Sequence, residues 1–310
     1  MPEDHPTLAR LRTLALRVLA ALALVAALCI GCVNCAGWRA LRRSEAARAR
    51  DPETGVLRGA EPVRIDRGRR GACLLLHGWI TTPADFGGLP QALDEAGWDV
   101  FAPLQAGHGT TPRALKGITP DKLLDTARGH YGALRGRYGR VVLIGFSMGG
   151  AMATILAAEQ PPDRLVLIAP FCGVRHKWYY VLPPRWWNTL LSPVVGYVPR
   201  PKSCVYCNRP EGKDAILTYD AFHTDAAGAL FALRHKLLRK TDLTMLTMPT
   251  LLVYGRCDET CSPEATDALF ARLPADPKQR VVLPESNHHL LHDYDRQQAI
   301  ATIVEFVGKP

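Results

Sequence analysis

The chain has 310 residues, of which 47% are apolar and 22% charged, so a sizeable core can form and intrinsic disorder is excluded as the main state. Its length suits one α/β domain with an insertion. The formal net charge is +9, and residues 1–70 carry 13 Lys and Arg against 7 Asp and Glu; because this excess flanks an apolar segment and forms no basic stripe on a folded element, it argues for a membrane and against a nucleic-acid partner.

The first predicted element is an apolar segment at residues 18–33, which contains sixteen apolar or small residues and no charge. Three arginines, Arg10, Arg12 and Arg17, precede it. A helix that spans a bilayer needs about 20 apolar residues. The segment therefore fits an uncleaved signal anchor, a lipoprotein signal in which Cys32 is acylated, or a cleaved signal peptide, with an ordinary buried helix as the remaining alternative.

These patterns divide the N-terminal part of the chain in two. We assign residues 1–38 to a signal or membrane-anchor segment and residues 39–70, which are rich in Arg, Ala and Glu, to a basic stalk or linker. We expect membrane anchoring through the first segment. The side that the folded part faces stays open, because arginines lie on both sides of the apolar run. Acylation of Cys32 would imply an exported folded domain.

From residue 71 onwards, short apolar runs alternate with segments of helical length. The runs lie at residues 73–77, 98–102, 140–144, 164–169, 250–254 and 280–283. The helical segments lie at residues 83–96, 121–138, 147–160, 262–273 and 294–307. Continuous apolar runs are typical of strands buried on both faces. Their alternation with helices predicts an α/β core over residues 71–170 and 246–310, with a mostly parallel sheet covered by helices on both faces.

Residues 171–245 interrupt this alternation. They contain six prolines between Pro183 and Pro210, helical character near residues 214–240, and a group of aromatic residues: Phe171, Trp178, Tyr179, Tyr180, Trp186, Trp187, Tyr197 and Tyr206. A linker would not carry so many aromatic side chains, so we predict an inserted cap, or lid. Such a cap shapes an apolar pocket, and tryptophans beside an arginine also fit a membrane interface.

The motif that indicates chemistry is Gly-Phe-Ser-Met-Gly at residues 145–149, directly after one apolar run and before an Ala-rich helical segment. A sharp strand-to-helix turn holds such a serine in a strained conformation, and its neighbours must be glycine for lack of room. The N-terminus of the following helix favours developing negative charge. The context predicts Ser147 as a nucleophile.

A nucleophilic serine needs a base, and the base needs an orienting carboxylate. Asp258 follows the run at 250–254, and His288 follows the run at 280–283, which is the order Ser, acid, His expected after successive strands. We predict a triad of Ser147, His288 and Asp258. Glu259 and His289 are adjacent alternatives for the acid and the base.

Five segments in the expected order resemble the α/β-hydrolase superfamily, and the chain is most similar to its monoacylglycerol lipase, carboxylesterase and lysophospholipase branch. They are LLLHGW (74–79), APLQAGHG (102–109), GFSMGG (145–150), GRCDETCSP (255–263) and SNHHLLHD (286–293). The resemblance implies the α/β-hydrolase fold. It favours His288 over His289, because the family's histidine is followed five residues later by an aspartate, here Asp293.

The resemblance also implies an oxyanion hole made by the backbone N–H groups of Trp79 and Met148. His77 and His108 belong to the family's HG and GHG motifs, and we interpret both as structural turn residues. No metal is expected, because no cluster of Cys or carboxylates is spaced to complete a site with the two adjacent histidines. No cofactor is expected either, because hydrolysis by a serine, a histidine and an aspartate needs none.

The sequence therefore predicts a membrane-anchored serine hydrolase whose substrate is a small ester with an apolar acyl chain, such as an acylglycerol or a lysophospholipid. Two alternatives stay open: acyl transfer or other chemistry with the same triad, and a non-catalytic binding or scaffold protein on the same fold. The cysteine pairs Cys204/Cys207 and Cys257/Cys261 could each form a local disulfide if the domain faces an oxidising compartment.

Overall fold

A computed structural model describes residues 6–175, 177 and 181–309. Seven strands form one sheet: β1 (Val63–Ile65), β2 (Gly71–Leu76), β3 (Asp99–Ala102), β4 (Arg140–Phe146), β5 (Arg164–Ile168), β8 (Thr250–Gly255) and β9 (Lys278–Leu283). Their order is β1-β3-β2-β4-β5-β8-β9, and all neighbours are parallel except β1 and β3. All six predicted runs are strands of this sheet. β1 was not predicted, because it has only three residues with Arg64 at its centre.

Helices cover the sheet on both faces, as predicted. They are α2 (Leu89–Glu95), α3 (Pro120–Arg135), α4 (Met148–Glu159), α8 (Pro263–Ala271) and α9 (Arg296–Gly308). α3 packs on α4, and α2 packs on α9, which gives one helical layer on each side. Every residue of β2 is buried, and each buried leucine there stabilises the fold by about 1.5–3 kcal/mol. The core is thus centred on β2, β4 and β5, the strands that lead to the site.

The insertion between β5 and β8 folds as a separate layer over the carboxyl ends of the strands. It contains α5 (Pro184–Leu191), β6 (Tyr197–Pro199), α6 (Pro210–Ala215), β7 (Ala221–His223) and α7 (Thr224–Lys240). β6 and β7 pair antiparallel. Three of the aromatic residues predicted to belong to the cap, Trp178, Tyr179 and Tyr180, lie outside the described residues.

The N-terminal segment is one helix, α1 (Pro6–Ala46), about 60 Å long at 1.5 Å per residue. Among the described helices, α1 is the one long and apolar enough to cross a membrane, and its most apolar window is wholly exposed. A helix that exposes its apolar side chains on all faces is unlike the buried core helix of a soluble protein.

Residues 39–70 differ from the stalk that their composition predicts. Ala40 and Leu41 are buried against Tyr197 and Ala221 of the cap hairpin, and Val63–Ile65 joins the sheet as β1. Arginines dominate the composition here, but the three that lie on α1, Arg39, Arg42 and Arg43, are exposed, whereas its small and apolar residues Ala40 and Leu41 face the hairpin. The end of α1 therefore belongs to the folded domain.

Candidate active site

Ser147 stands at the sharp turn between β4 and α4. Its φ of 54° lies in the left-handed region, which is strained for a residue with a side chain. The turn leaves no room around it: a β-carbon on Gly145 would lie 2.3 Å from the carbonyl oxygen of Gly149. Ser147 occupies the N-cap position of α4, yet its side chain does not cap the helix. The helix therefore does not use the hydroxyl of Ser147 as a hydrogen-bond partner.

The structure brings Ser147, His288 and Asp258 together. His288 Nε2 lies 2.9 Å from Ser147 Oγ, and His288 Nδ1 lies 2.8 Å from Asp258 Oδ2. All three side chains are at least nine-tenths buried. β4, β8 and β9 run parallel, so the loops after their carboxyl ends meet at one edge of the sheet and deliver the three residues.

Both partners of Ser147 are held by their own loops. Asp258 Oδ1 accepts hydrogen bonds of 2.8 Å from the backbone N–H groups of Thr260 and Cys261, which leaves Oδ2 to face the imidazole. The buried carboxylate of Asp293 accepts N–H bonds from Asn287, Asn208 and further residues, and so ties the loop of His288 to the cap. Asp293, which the sequence analysis identified from the family pattern, thus has a structural role.

The two adjacent alternatives point elsewhere. Glu259 forms an ion pair of 2.7 Å with Lys177 on the cap side, away from the imidazole. His289 is buried with Nδ1 at 3.5 Å from Asp85 Oδ1, and burial lowers the pKa of its imidazole. His289 therefore forms a second histidine–carboxylate pair behind the first, a pair that the sequence analysis did not identify.

His77 and His108 fix the loop that follows β2, in keeping with their interpretation as turn residues. His77 Nε2 accepts from the N–H of Gln105, and His108 Nε2 accepts from the N–H of Ile80. Burial lowers the pKa of His77 to about 4, and burial together with the neighbouring His77 lowers that of His108 to about 3. Both imidazoles are neutral at pH 7, which suits a hydrogen-bonding role.

Trp79 lies on this loop, opposite the N-terminus of α4 where Met148 is the first helical residue. The Trp79 indole Nε1 donates to the carbonyl oxygen of Ala226, 3.1 Å away, and its ring packs edge-on against Phe222. The bulky side chain of Trp79 thus packs against the cap. The first N–H groups of a helix have no partner within it, so Met148 can donate to a ligand.

A cavity of about 510 Å³ lies over Ser147 and His288 beneath the cap. Its lining is mostly apolar and comes from the core loops, from α5 and α7, and from Val33 of α1. The charged side chain in this lining is Arg200, whose guanidinium donates to Thr218 Oγ1 and to the carbonyl oxygen of Cys204. No Asp or Glu is among the described residues that line the cavity.

A carboxylate oxygen of Asp258, the sulfur of Cys261 and a ring nitrogen of His288 lie within 4.8 Å of one another, a spacing that a metal ion could use. Burial raises the pKa of the Cys261 thiol well above its usual range, so the thiolate that a metal prefers is disfavoured. The carboxylate and the imidazole already bond each other. This arrangement favours a hydrogen-bonded triad over a metal centre.

All nine cysteines lie in the described part of the chain, and none of them forms a disulfide. Cys257 is exposed with its sulfur 3.7 Å from the carbonyl oxygen of Pro284, whereas Cys261 is buried beside the triad. Cys207 is buried as well, and its sulfur bonds the carbonyl oxygen of Arg209. Neither suggested pair is bridged in this structure.

Comparison with known families matches residues 67–295 to the family model described as serine aminopeptidase, S33. A thermostable monoacylglycerol lipase of Bacillus sp. (strain H-257) is 29% identical over 82% of this chain and 96% of its own length. A carboxylesterase of Bacillus subtilis (strain 168) is 24% identical over 77% of this chain and 92% of its own length. α1 lies outside the residues that the family model matches.

Solved structures share the same architecture. A metagenome-derived lipolytic enzyme superposes with a TM-score of 0.71 at 22% identity, over 81% of this chain and 98% of its own. A soluble variant of the monoglyceride lipase of Saccharomyces cerevisiae, in complex with a substrate analogue, superposes with a TM-score of 0.66 at 15% identity, over 77% of this chain and 86% of its own. These likenesses confirm the predicted α/β-hydrolase fold.

Proposed function

The chain belongs to the serine aminopeptidase S33 family and to the lipase and esterase branch of the α/β-hydrolases, and on this basis we propose that it cleaves carboxylic esters of small, lipid-like alcohols through an acyl-enzyme on Ser147. The observation that carries the proposal is the pair of hydrogen bonds that links Ser147 Oγ, His288 and Asp258 beneath an apolar cavity. A hydroxyl, an imidazole and a carboxylate in this order are the parts of an activated nucleophile.

In the proposed acylation step, Ser147 Oγ attacks the acyl carbonyl while His288 Nε2 takes the hydroxyl proton. Asp258 holds Nδ1 protonated and stabilises the imidazolium that forms. The N–H groups of Met148 and Trp79 bind the oxyanion; the loss of one such donor costs about 2.7–4 kcal/mol of transition-state stabilisation. The tetrahedral intermediate then collapses, and His288 returns the proton to the departing alcohol.

Deacylation repeats these roles with water. His288 Nε2 removes a proton from a water molecule that attacks the acyl-enzyme, and the same two N–H groups hold the second oxyanion. The proton on His288 then returns to Ser147 Oγ as the carboxylic acid leaves. In this mechanism every proton moves between Ser147, His288, water and the alcohol, so the reaction needs no bound cofactor.

The lining of the cavity supports an acyl chain as the bound group. Phe171, Leu230 and Phe231 are among its apolar side chains. An aminopeptidase binds the charged α-amino group of its substrate, and a buried ammonium group requires a compensating carboxylate. The described residues that line this cavity provide none. We therefore assign ester hydrolysis, in spite of the description that the family model carries.

We further propose that α1 anchors the protein in a membrane. Processing before Cys32, with acylation of that cysteine, would give an alternative lipid anchor in the same place. Asn34 donates to the carbonyl oxygen of Val194, and Ala40 and Leu41 are buried on the cap. Both anchors retain these residues, whereas a cleavage beyond residue 46 would remove a packed part of the domain.

The substrate class is tested with three sets of substrates on the purified full chain in detergent. We expect hydrolysis of p-nitrophenyl esters, with kcat/KM rising from acetate towards medium acyl chains, and hydrolysis of monoacylglycerols. We expect no release of 4-nitroaniline from L-amino-acid 4-nitroanilides. Nitroanilide hydrolysis that Ser147→Ala abolishes, in the absence of ester hydrolysis, would overturn the assignment in favour of a peptidase.

A further inference from the structure

α1 has an exposed, apolar part up to residue 33 and a part that packs on the folded domain after it. Residues 14–33 form twenty residues of helix, exposed except for the half-buried Ile30 and about 30 Å long, which matches the hydrocarbon thickness of a bilayer. Arg17 lies near the far end, where its long side chain can reach the interface. The next residue, Asn34, already contacts the cap: its side-chain Nδ2 lies 2.8 Å from the carbonyl oxygen of Val194. The helix therefore enters the folded domain at the point where it leaves the membrane.

The C-terminal part of α1 packs closely against the cap. A β-carbon on Gly37 would lie 1.9 Å from the carbonyl oxygen of Tyr197 in β6, so only glycine fits there. The Trp38 ring packs edge-on against the Tyr197 ring at a centroid distance of 5.0 Å. Arg113 stacks over Trp38 and pairs with Glu45. α1 is thus held over three turns, to the cap through Asn34, Gly37 and Trp38 and to the core segment after β3 through Arg113.

The cap presents an exposed apolar surface at the same level as Asn34. On α5, Trp186 and Leu190 lie one turn apart and point outwards, with 49% and 58% of each side chain exposed. Val194, whose carbonyl oxygen bonds Asn34, is 51% exposed. We define Trp186, Leu190 and Val194 as the α5 surface. Arg185 stacks on Trp186, which places a positive charge beside the apolar side chains.

The neighbours of the α5 surface line the catalytic cavity. Trp187 and Leu191, each next in sequence to a residue of the α5 surface, face the cavity, and so does Val195. Val33, the last residue of the apolar stretch of α1, lines it as well. The cavity therefore reaches from Ser147 and His288 to the place where α1 leaves the membrane.

We propose that α1 is a wall of the catalytic cavity, that the α5 surface rests in the membrane interface, and that the ester enters the cavity sideways from the bilayer. The lipid bilayer is the occupant that fits the α5 surface, because this surface continues the exposed apolar face of α1. Tryptophans and a flanking arginine are the side chains that membrane interfaces favour. Acylation at Cys32 would set the membrane surface at the same level, one residue before Val33.

This inference rests on the proposed function and narrows its substrates to membrane-resident acyl esters. It is tested with the full chain reconstituted in phosphatidylcholine vesicles that contain 1-oleoylglycerol, with p-nitrophenyl butyrate as the water-soluble substrate. The variants are Leu190→Glu and Val194→Glu, neither of which lines the cavity. The matched control is Met245→Glu, a similarly exposed apolar residue that belongs to neither α1 nor the α5 surface and does not line the cavity.

We expect each cap variant to hydrolyse 1-oleoylglycerol about tenfold more slowly than the parent, because burial of one leucine or valine side chain in an apolar phase has about this effect. Hydrolysis of p-nitrophenyl butyrate should stay within about twofold, because the triad is untouched. Met245→Glu should match the parent on both substrates. Parental rates of both cap variants on 1-oleoylglycerol would overturn the inference.

A second measurement does not depend on activity. Brominated phosphatidylcholine quenches tryptophans that lie in the bilayer, so Trp186→Phe should remove a quenched component of the fluorescence. The control Trp98→Phe, at a buried position beside β3, should leave the quenched component unchanged. Equal quenching of the parent and Trp186→Phe would overturn the inference. Quenching at Trp186 without ester hydrolysis would contradict the proposed function and support the membrane surface.

Discussion

Gly149→Ala tests the geometry of the proposed oxyanion hole. A β-carbon on Gly149 would lie 1.8 Å from the carbonyl oxygen of Leu76 and 2.7 Å from that of His77. Carbon–oxygen contacts lie near 3.3 Å, so the start of α4 must move by about 1.5 Å away from the end of β2. This motion separates Met148, the residue immediately before Gly149, from the loop that carries Trp79.

A misplacement of about 1 Å costs about 10²-fold in rate, and the loss of one oxyanion donor costs about 10²–10³-fold. We therefore expect kcat/KM of Gly149→Ala for p-nitrophenyl butyrate to fall by about 10²–10³-fold. Overpacking should also lower the free energy of unfolding by about 1–3 kcal/mol. Steady-state kinetics and thermal melting followed by circular dichroism measure the two effects.

The matched control is Gly132→Ala on α3, where a β-carbon would meet nothing within 4 Å. It should raise the free energy of unfolding by about 0.5–1 kcal/mol, because alanine is the better helix former, and leave kcat/KM unchanged. A folded Gly149→Ala protein with kcat/KM within about threefold of the parent would refute the reasoning.

Three further expectations follow from the same contacts. Asp258→Asn should lower kcat by about 10⁴-fold, because the amide favours the wrong imidazole tautomer; a loss below about tenfold in steady-state kinetics would contradict the role of Asp258. Gly37→Ala should lower the melting temperature through its clash with Tyr197, whereas Gly31→Ala, which meets nothing within 4 Å, should not; equal melting of the two variants would show that α1 does not pack on the cap. Between pH 6.5 and 4, histidines of the unfolded protein bind protons that the buried, neutral His77 and His108 do not. The free energy of unfolding should therefore fall as the pH drops, by about 2 kcal/mol for each histidine at pH 5. Melting curves should show a shallower fall for His108→Asn, and a free energy of unfolding that does not change from pH 7 to pH 5 would be inconsistent with neutral burial.

The core of the fold and the residues of the site could be predicted because the sequence carries local signals for them. A strand buried on both faces is mostly apolar, and each of the six predicted runs contains at least three consecutive apolar residues. The turn at Ser147 admits only glycine at 145 and 149, because a β-carbon at either position would lie within 2.3 Å of a backbone carbonyl oxygen. Asp258 and His288 follow strand ends, where a parallel sheet collects its polar residues.

The cap and its junction with α1 could not be predicted, because their contacts join residues that are far apart in sequence. Asn34 and Val194 are 160 positions apart, and nothing local to either residue indicates the other. Strand β1 and the buried Ala40 and Leu41 lie in a segment rich in arginine. The high arginine content of this segment favours the prediction of an exposed stalk and hides the few residues that are packed. The pair of His289 and Asp85 also depends on the tertiary fold.

The most direct measurement is the reaction of the full chain in detergent with a fluorophosphonate probe, followed by peptide mass spectrometry. An activated serine attacks the phosphorus and keeps the adduct, whereas an ordinary serine does not react. We predict one adduct per chain at Ser147, the same labelling in the exposed-serine control Ser203→Ala, and none in Ser147→Ala. A folded parent that stays unlabelled, or a Ser147→Ala variant labelled as well as the parent, would contradict the assignment of Ser147 as the nucleophile.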